Sequence, residues 1–191
     1  MIRTLEQMEE KVLNLKKKRR IAVAWAQDSN TLRAVNKAVK KGFVEAILIG
    51  KSSEISRTCK AEDIDDKSFT IIESDNETKA SSEAVRLVKS GEADIVMKGL
   101  VATDTCLKAV IDKEKGLMLP NAVLSYVGAM EIPEYHKLLF ITDPAVIPFP
   151  DLDQKIAMVG YAIEMAIRFG IEKPKVALMG ASEKMSRHFK N

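Results

Sequence analysis

Short apolar runs alternate with amphipathic segments through most of this chain. Residues 21–26 are almost continuously apolar, which is typical of a strand buried on both faces. The next segment has apolar residues at helical spacing and ends at Gly42. The same unit recurs, with strands predicted at 44–49, 69–72 and 93–97 and helices at 52–59, 77–89 and 103–113. This alternation predicts an α/β fold with a parallel sheet.

The pattern changes near residue 118, so we predict a first α/β domain at 1–118 and part of a second α/β domain at 119–191. In the second part, strands are predicted at 122–127, 137–141 and 175–179. A long helix begins after Asp151 and ends at Gly170. No further helix follows the last predicted strand, and we therefore expect the second domain to be incomplete.

The loop after the 93–97 strand is a candidate anion site. A lysine and a glycine follow the strand, and a Thr-Asp-Thr sequence starts the next helix. Free N–H groups and the positive end of the helix dipole favour a phosphate there. The alternative is an ordinary capped helix after a buried strand, with surface lysines. The residues of this candidate site are Lys98, Gly99, Thr103, Asp104, Thr105 and Lys108.

Two other loops follow predicted strands in the same way. Asp143 lies at the end of the 137–141 strand, where it orients a substrate group or forms an Asx turn before Pro144. Both interpretations stay open. Ser182 and Lys184 follow the last predicted strand.

Other chemistries find little support. The Gly-Lys-Ser at 50–52 lacks the earlier glycine of a nucleoside triphosphate loop, because Glu45 stands in its place. Cys106 lies within a predicted helix and is interpreted as core rather than as a nucleophile. The two histidines and two cysteines have no metal-ligand spacing, so no metal site is expected.

Composition bounds the remaining classes. The net charge is only +3, and the one dense basic run, at 16–20, follows acidic residues on a predicted helix. Neither nucleic acid nor a membrane is therefore an expected partner. No apolar run is long enough to cross a bilayer. Unpaired cysteine spacing predicts reduced thiols and a cytoplasmic location.

Four motifs together resemble the phosphate acetyl/butyryltransferase family, most closely its butyryl-transferring members. The likeness runs from about residue 21 to residue 184. It rests on ADIVMKGLVATDT at 93–105, YHKLLFITD at 135–143, PDLDQK at 150–155 and GIEKPKVAL at 170–178.

The resemblance implies a fold like that of the isocitrate/isopropylmalate dehydrogenase group. It implies the reversible conversion of acyl-coenzyme A and phosphate into acyl phosphate and coenzyme A. Coenzyme A is then a substrate, no cofactor is permanently bound, and a homo-oligomer is expected. It assigns catalytic roles to Lys98 and Asp143. Substrate-binding roles fall on Gly99, Thr103, Asp104, Thr105, Lys108, Ser182 and Lys184, with Lys108 standing where some relatives have an arginine.

The resemblance also implies family residues beyond those present here, including a serine-arginine pair. We therefore expect the chain to be an N-terminal portion of a longer enzyme or a truncated protein. The alternative function is a non-catalytic module that binds phosphate or coenzyme A, or an inactive fragment.

Overall fold

The computed structural model describes residues 1–180. The helices are α1 (Leu5–Asn14), α2 (Ser29–Lys40), α3 (Ser52–Ala61), α4 (Glu77–Lys89), α5 (Thr103–Ile111) and α6 (Leu152–Arg168). The strands are β1 (Arg19–Ala24), β2 (Val44–Gly50), β3 (Thr70–Glu73), β4 (Ile95–Lys98), β5 (Gly128–Met130) and β6 (Leu139–Ile141).

The chain divides into two compact units. The first, here called the sheet unit, is Glu9–Ala122. The second, called the hairpin unit, contains Met1–Met8 and the residues from Val123 onward. The predicted boundary at 118/119 remains a sequence-based prediction.

The sheet unit is built on four parallel strands in the order β3-β2-β1-β4. Val23 of β1 pairs with Leu48 of β2 on one side and with Met97 of β4 on the other. The predicted α/β class with a parallel sheet is confirmed.

Alternate residues of the strands face two separate cores. Ala22, Ala24 and Ile49 belong to the core that includes residues of α4 and α5. Val23 and Leu48 belong to the core that includes residues of α2 and α3. Helices therefore cover both faces of the sheet, which explains why its strands are almost continuously apolar.

Both ends of β1 differ from the predicted ones, and strand pairing and a backbone angle explain the differences. β1 begins at Arg19, not at residue 21, because Arg19 and Arg20 pair with Val44 and Glu45 of β2. It ends at Ala24 because Trp25 has a positive φ of 60°.

Two predicted strands are wrong. Residues 122–127 form no strand, since the N–H of Tyr126 is bound by the carboxylate of Asp143 instead of a neighbouring strand. Residues 175–179 also form no strand, and within residues 1–180 they have no partner strand. An apolar run becomes a strand only where another strand accepts its hydrogen bonds.

The hairpin unit contains one antiparallel pair, β5–β6, and helix α6. Asp151 and Gln154 form a reciprocal capping box at the start of α6, as the Asp151 prediction required. At the C-terminal end of α6, the ring of Phe169 packs against that of Phe140 in β6, with 5.2 Å between the ring centroids.

Candidate functional site

The loops after β1 and β4 meet at the point where the strand order reverses. From β1 the chain proceeds to β2 and β3 on one side, and then returns to place β4 on the other. The N–H of Gly99 donates to the carbonyl of Ala24 at 2.9 Å, and the N–H of Leu100 donates to Trp25 at 3.0 Å. In open parallel sheets, ligands bind at the carboxyl ends of the strands at such a reversal.

Gly99 is required by the neighbouring strand. A Cβ on Gly99 would lie 2.5 Å from the carbonyl oxygen of Trp25 and 2.7 Å from that of Ala24. Both obstacles are backbone atoms, which cannot rotate away. The glycine therefore lets the ends of β1 and β4 approach each other, a role that the sequence interpretation did not foresee.

The ammonium of Lys98 binds its own loop. Its Nζ donates to the carbonyl of Val101 at 2.9 Å and to that of Gly99 at 3.3 Å. These two bonds to carbonyls at either end of the 99–101 loop fix its shape and place a positive charge beside it.

Helix α5 begins differently from the three helices that precede it in the sheet unit. The side chains of Asp28 and Asn76 cap α2 and α4, and the carboxylate of Glu73 accepts the N–H of Ser52 at the start of α3. The N-cap of α5 is Ala102, which has no side-chain acceptor. Its first-turn N–H groups are therefore open to an external acceptor to a degree that those of α2, α3 and α4 are not.

Two carboxylates adjoin the start of α5. Glu77, the first residue of α4, accepts the N–H of Ala102 at 3.3 Å. Asp104 pairs with Lys108 at 3.3 Å, and that hydrogen bond lowers the pKa of Asp104, helped by the N–H of Thr105. Because both side chains of the pair are highly exposed, the pair is weak and Lys108 can exchange partners. Thr103 is also exposed, and Thr105 is half-buried.

The start of α3, which follows the Gly-Lys sequence at 50–51, is occupied by a side chain of the protein itself. Besides the bond from Ser52 to Glu73, the N–H of Lys51 donates to Gln27 and its ammonium pairs with Glu54 at 3.2 Å. The carboxylate of Glu73 occupies the N–H of Ser52, the first residue of α3, whereas Glu77 accepts only the N–H of Ala102, which precedes the first turn of α5. This geometry agrees with the rejection of a nucleoside triphosphate loop there.

Cys106 is a core residue. It lies in the cluster that packs α4 and α5 on the sheet. Burial raises the pKa of its thiol, and the nearby charge of Lys98 opposes that effect without reversing it. The thiol is therefore protonated at neutral pH.

Asp143, in the hairpin unit, forms the Asx turn. One carboxylate oxygen accepts the N–H groups of Ala145 and Val146 at 2.8 and 2.7 Å, and the other accepts that of Tyr126 at 3.0 Å. Burial raises the pKa of Asp143, but the bonds from Val146, Ala145 and Tyr126, together with Ser125, outweigh it and hold the pKa below its ordinary value. Its catalytic role remains a prediction.

The remaining predicted site residues, Ser182 and Lys184, lie outside the described residues. Among residues 1–180, no cluster of three metal-ligand side chains occurs, and none of the helices combines the length and the apolar composition that a bilayer span needs.

Sequence reasoning missed Gln27 and Asp28 as candidate site residues. They follow β1 at the strand reversal, and the Oδ2 atom of Asp28 is buried without a hydrogen-bond partner. Their one sequence signal is their position between an apolar strand and the next helix, where Asp28, Ser29 or Asn30 can serve as the helix cap.

Comparisons with known proteins place the chain in a family. The sequence profile described as "Phosphate acetyl/butaryl transferase" matches residues 3–82 and 74–191. The chain belongs to this family of transferases.

Individual relatives agree. The chain is 40% identical over 183 residues to phosphate butyryltransferase of Clostridium acetobutylicum, covering 96% of this chain and 60% of the relative. It is 35% identical over 167 residues to phosphate acetyltransferase of Thermotoga maritima, covering 87% of this chain and 56% of the relative. The chain thus spans little more than half of the length of these two proteins.

A solved structure shares the fold. The branched-chain phosphotransacylase from Enterococcus faecalis V583 superposes with a TM-score of 0.71 at 26% identity, covering 90% of this chain and 59% of that one.

Proposed function

We propose that this chain contributes the phosphate-binding part of a phosphate acyltransferase that acts on a short acyl-coenzyme A. The observation that carries the proposal is the uncapped start of α5 beside the reversal of strand order at β1 and β4. Membership of the transferase family supplies the reaction class.

In the proposed reaction, a phosphate oxygen attacks the thioester carbonyl, the carbon–sulfur bond breaks, and coenzyme A leaves as a thiolate that takes up a proton. In reverse, the thiolate attacks the acyl phosphate and phosphate departs with the electron pair. A multiply charged phosphate must be held in one orientation while charge moves to or from the leaving group. Coenzyme A is a substrate in this scheme, and no permanently bound cofactor takes part.

The proposed roles follow the local geometry. The backbone N–H groups at Thr103, Asp104 and Thr105 donate to phosphate, that of Thr105 after leaving the Asp104 carboxylate, and Lys108 exchanges its partner Asp104 for the anion. Lys98 adds positive charge while holding the 99–101 loop.

The proposed catalytic role of Asp143 rests on the resemblance alone. Its lowered pKa keeps it ionised at neutral pH, as an acceptor of a proton must be, although its oxygens are occupied by backbone N–H groups. Ser182 and Lys184 are proposed as substrate-binding residues on the same ground.

Three further proposals concern the whole protein. A fold of the isocitrate/isopropylmalate dehydrogenase group is supported by the parallel sheet with helices on both faces. A cytoplasmic location is supported by two free, buried cysteines. A homo-oligomer is supported by the resemblance alone.

The decisive experiment has a binding arm and a turnover arm. Titration of the chain with inorganic phosphate should shift the NMR amide signals of Thr103 and Thr105 and leave that of Ser52 in place, because Glu73 occupies the start of α3. Thiol release from butyryl-coenzyme A should then require phosphate. Equal release without phosphate would refute the reaction, and unshifted α5 signals would refute the site.

Binding without turnover would favour the alternative, a phosphate- or coenzyme A-binding module. Calorimetry with coenzyme A on the same preparation separates that outcome from a chain that binds neither ligand.

A further inference from the structure

Glu77, the first residue of α4, lies beside the start of α5 without filling it. Its Oε2 atom accepts the N–H of Ala102 at 3.3 Å, a long bond to the residue that precedes the first turn. Within residues 1–180 this is the one hydrogen bond that the Glu77 side chain makes, and no lysine or arginine pairs with it. The carboxylate therefore keeps acceptor capacity beside the N–H groups of the first turn.

The packing of α4 and α5 holds Glu77 at this place. Asn76 caps α4 by accepting the N–H of Lys79 at 2.9 Å. Ala80, one turn into α4, is fully buried and belongs to the same core as Cys106 of α5. The two helix starts are therefore held together. Because Glu77 is half-buried at their junction, water screens its charge less than that of an exposed carboxylate.

Asp104, the other carboxylate near this helix start, is in a different situation. It pairs with Lys108 at 3.3 Å, and 69% of its side chain is exposed. Water and the ammonium group both weaken its effect on a neighbouring anion. Glu77 is half-buried and has no such cation in the described part of the chain, so its effect on an anion at α5 is the larger one.

A carboxylate beside an anion site distinguishes anions by whether they carry a proton. An ionised carboxylate only accepts hydrogen bonds, so it repels an oxyanion without a proton and binds the O–H of one that has a proton. At neutral pH inorganic phosphate keeps a proton. Sulfate has the same tetrahedral shape and keeps none, so the two anions should differ in affinity at such a site.

We propose that Glu77 makes the start of α5 selective for a proton-bearing oxyanion, and so for phosphate over sulfate. This role rests on the proposed phosphate site and adds to it the residue that sets its specificity. Glu77 accepts the P–O–H of the bound phosphate, while the N–H groups of the first turn of α5 bind its charged oxygens. The proton of the phosphate is thereby held at one side of the site, which fixes the orientation of the anion.

The test compares phosphate with sulfate at neutral pH and constant ionic strength. Binding is followed by the NMR amide signals of Thr103 and Thr105. We expect the unaltered chain to bind phosphate at least about tenfold more tightly than sulfate. Glu77→Gln keeps an oxygen for the N–H of Ala102 and adds an N–H donor. In this variant sulfate affinity should rise until the two anions bind within about threefold of each other.

Glu83→Gln is the matched control. It removes the same charge from the same helix, at a position where the carboxylate pairs with Arg86 at 2.8 Å. The ratio of phosphate to sulfate affinity in this variant should stay within about twofold of that of the unaltered chain.

Three results would count against the proposal. Equal affinity of the unaltered chain for phosphate and sulfate would overturn the role of Glu77 and leave the phosphate site standing. A preference for phosphate that persists in Glu77→Gln would do the same. Unshifted α5 signals with both anions would refute the proposed phosphate site itself, and the role of Glu77 with it. The first comparison uses the unaltered chain, so it does not depend on how the variant folds.

Discussion

The carboxylate of Glu73 accepts the backbone N–H of Ser52 at 2.9 Å, so the last residue of β3 fills the start of α3. Hydrogen bonding to Ser52 lowers the pKa of Glu73 and keeps it charged. The protein thus places its own anion at one helix start while Ala102 leaves another uncapped. The predictions below separate the contribution of these groups to stability from their contribution to anion binding.

A cap introduced at Ala102 should raise stability and weaken phosphate binding. Ala102 has the extended backbone angles of an N-cap, with φ −61° and ψ 139°. Ala102→Ser should stabilise the chain by about 0.5–1 kcal/mol in urea unfolding. Ala102→Asp should weaken phosphate binding, measured by calorimetry, because its carboxylate competes for the same N–H groups. Undiminished phosphate affinity in Ala102→Asp would remove α5 from the site.

Gly99→Ala should destabilise the sheet unit by about 1–3 kcal/mol, since the new methyl group would overlap two backbone carbonyls. Urea unfolding followed by circular dichroism measures the change. Gly160→Ala is the control, because its Cβ meets no atom within 4 Å and alanine favours a helix by about 0.5–1 kcal/mol. Equal stability of Gly99→Ala and the unaltered chain would contradict the close contact.

The two lysines should respond differently to removal of their charge. Lys98→Met loses two hydrogen bonds to loop carbonyls and should cost about 1–2 kcal/mol of unfolding free energy. Lys108→Met breaks only an exposed ion pair and should cost less than about 0.5 kcal/mol.

Replacing Lys108 should affect phosphate binding more than it affects the free energy of unfolding. Its replacement should weaken binding by about 1–3 kcal/mol, if its ammonium meets the anion. Lys60→Met is the control, because Lys60 is exposed in the last turn of α3. This variant should bind phosphate as the unaltered chain does. If Lys60→Met lost as much phosphate affinity as Lys108→Met, the effect would be one of net charge and not of position.

Stability at acid pH should depend on Asp143. Its pKa is lower in the folded chain than the ordinary value of 3.8, so the folded state favours the ionised carboxylate. The stabilisation is present above that ordinary pKa and is lost as the pH falls through the folded pKa. Asp143→Asn should lower the urea midpoint at pH 7, and the difference from the unaltered chain should shrink below about pH 4. A difference that is constant from pH 7 to pH 3 would argue against the carboxylate contacts.

Local patterns predicted the elements of the sheet unit well. Helix 77–89 agrees with α4 at both ends, and the strand at 44–49 differs from β2 by one residue. These segments obey local rules, because capping residues and buried apolar runs act within a few positions. The strands at 122–127 and 175–179 were wrong because pairing depends on a distant neighbour, which no local pattern contains.

The sequence predicted where the candidate site lies but not which residues contact each other there. The run from Lys98 to Thr105 indicated a loop and a helix start. The strand order β2-β1-β4 brings Gly99 against the carbonyl of Trp25. It also brings Glu77 within hydrogen-bond distance of Ala102. Strand order arises from the packing of the whole sheet and was outside the reach of motif spacing.

The three capped helix starts have a consequence for how new specificity could arise in this fold. Asp28, Glu73 and Asn76 each close a helix start with one side chain. A single substitution at any of them would free one backbone N–H group at that helix start, at a stability cost of about 0.5–2 kcal/mol. At the carboxyl end of this sheet, single side chains therefore determine which helix starts keep their N–H groups free for an external acceptor.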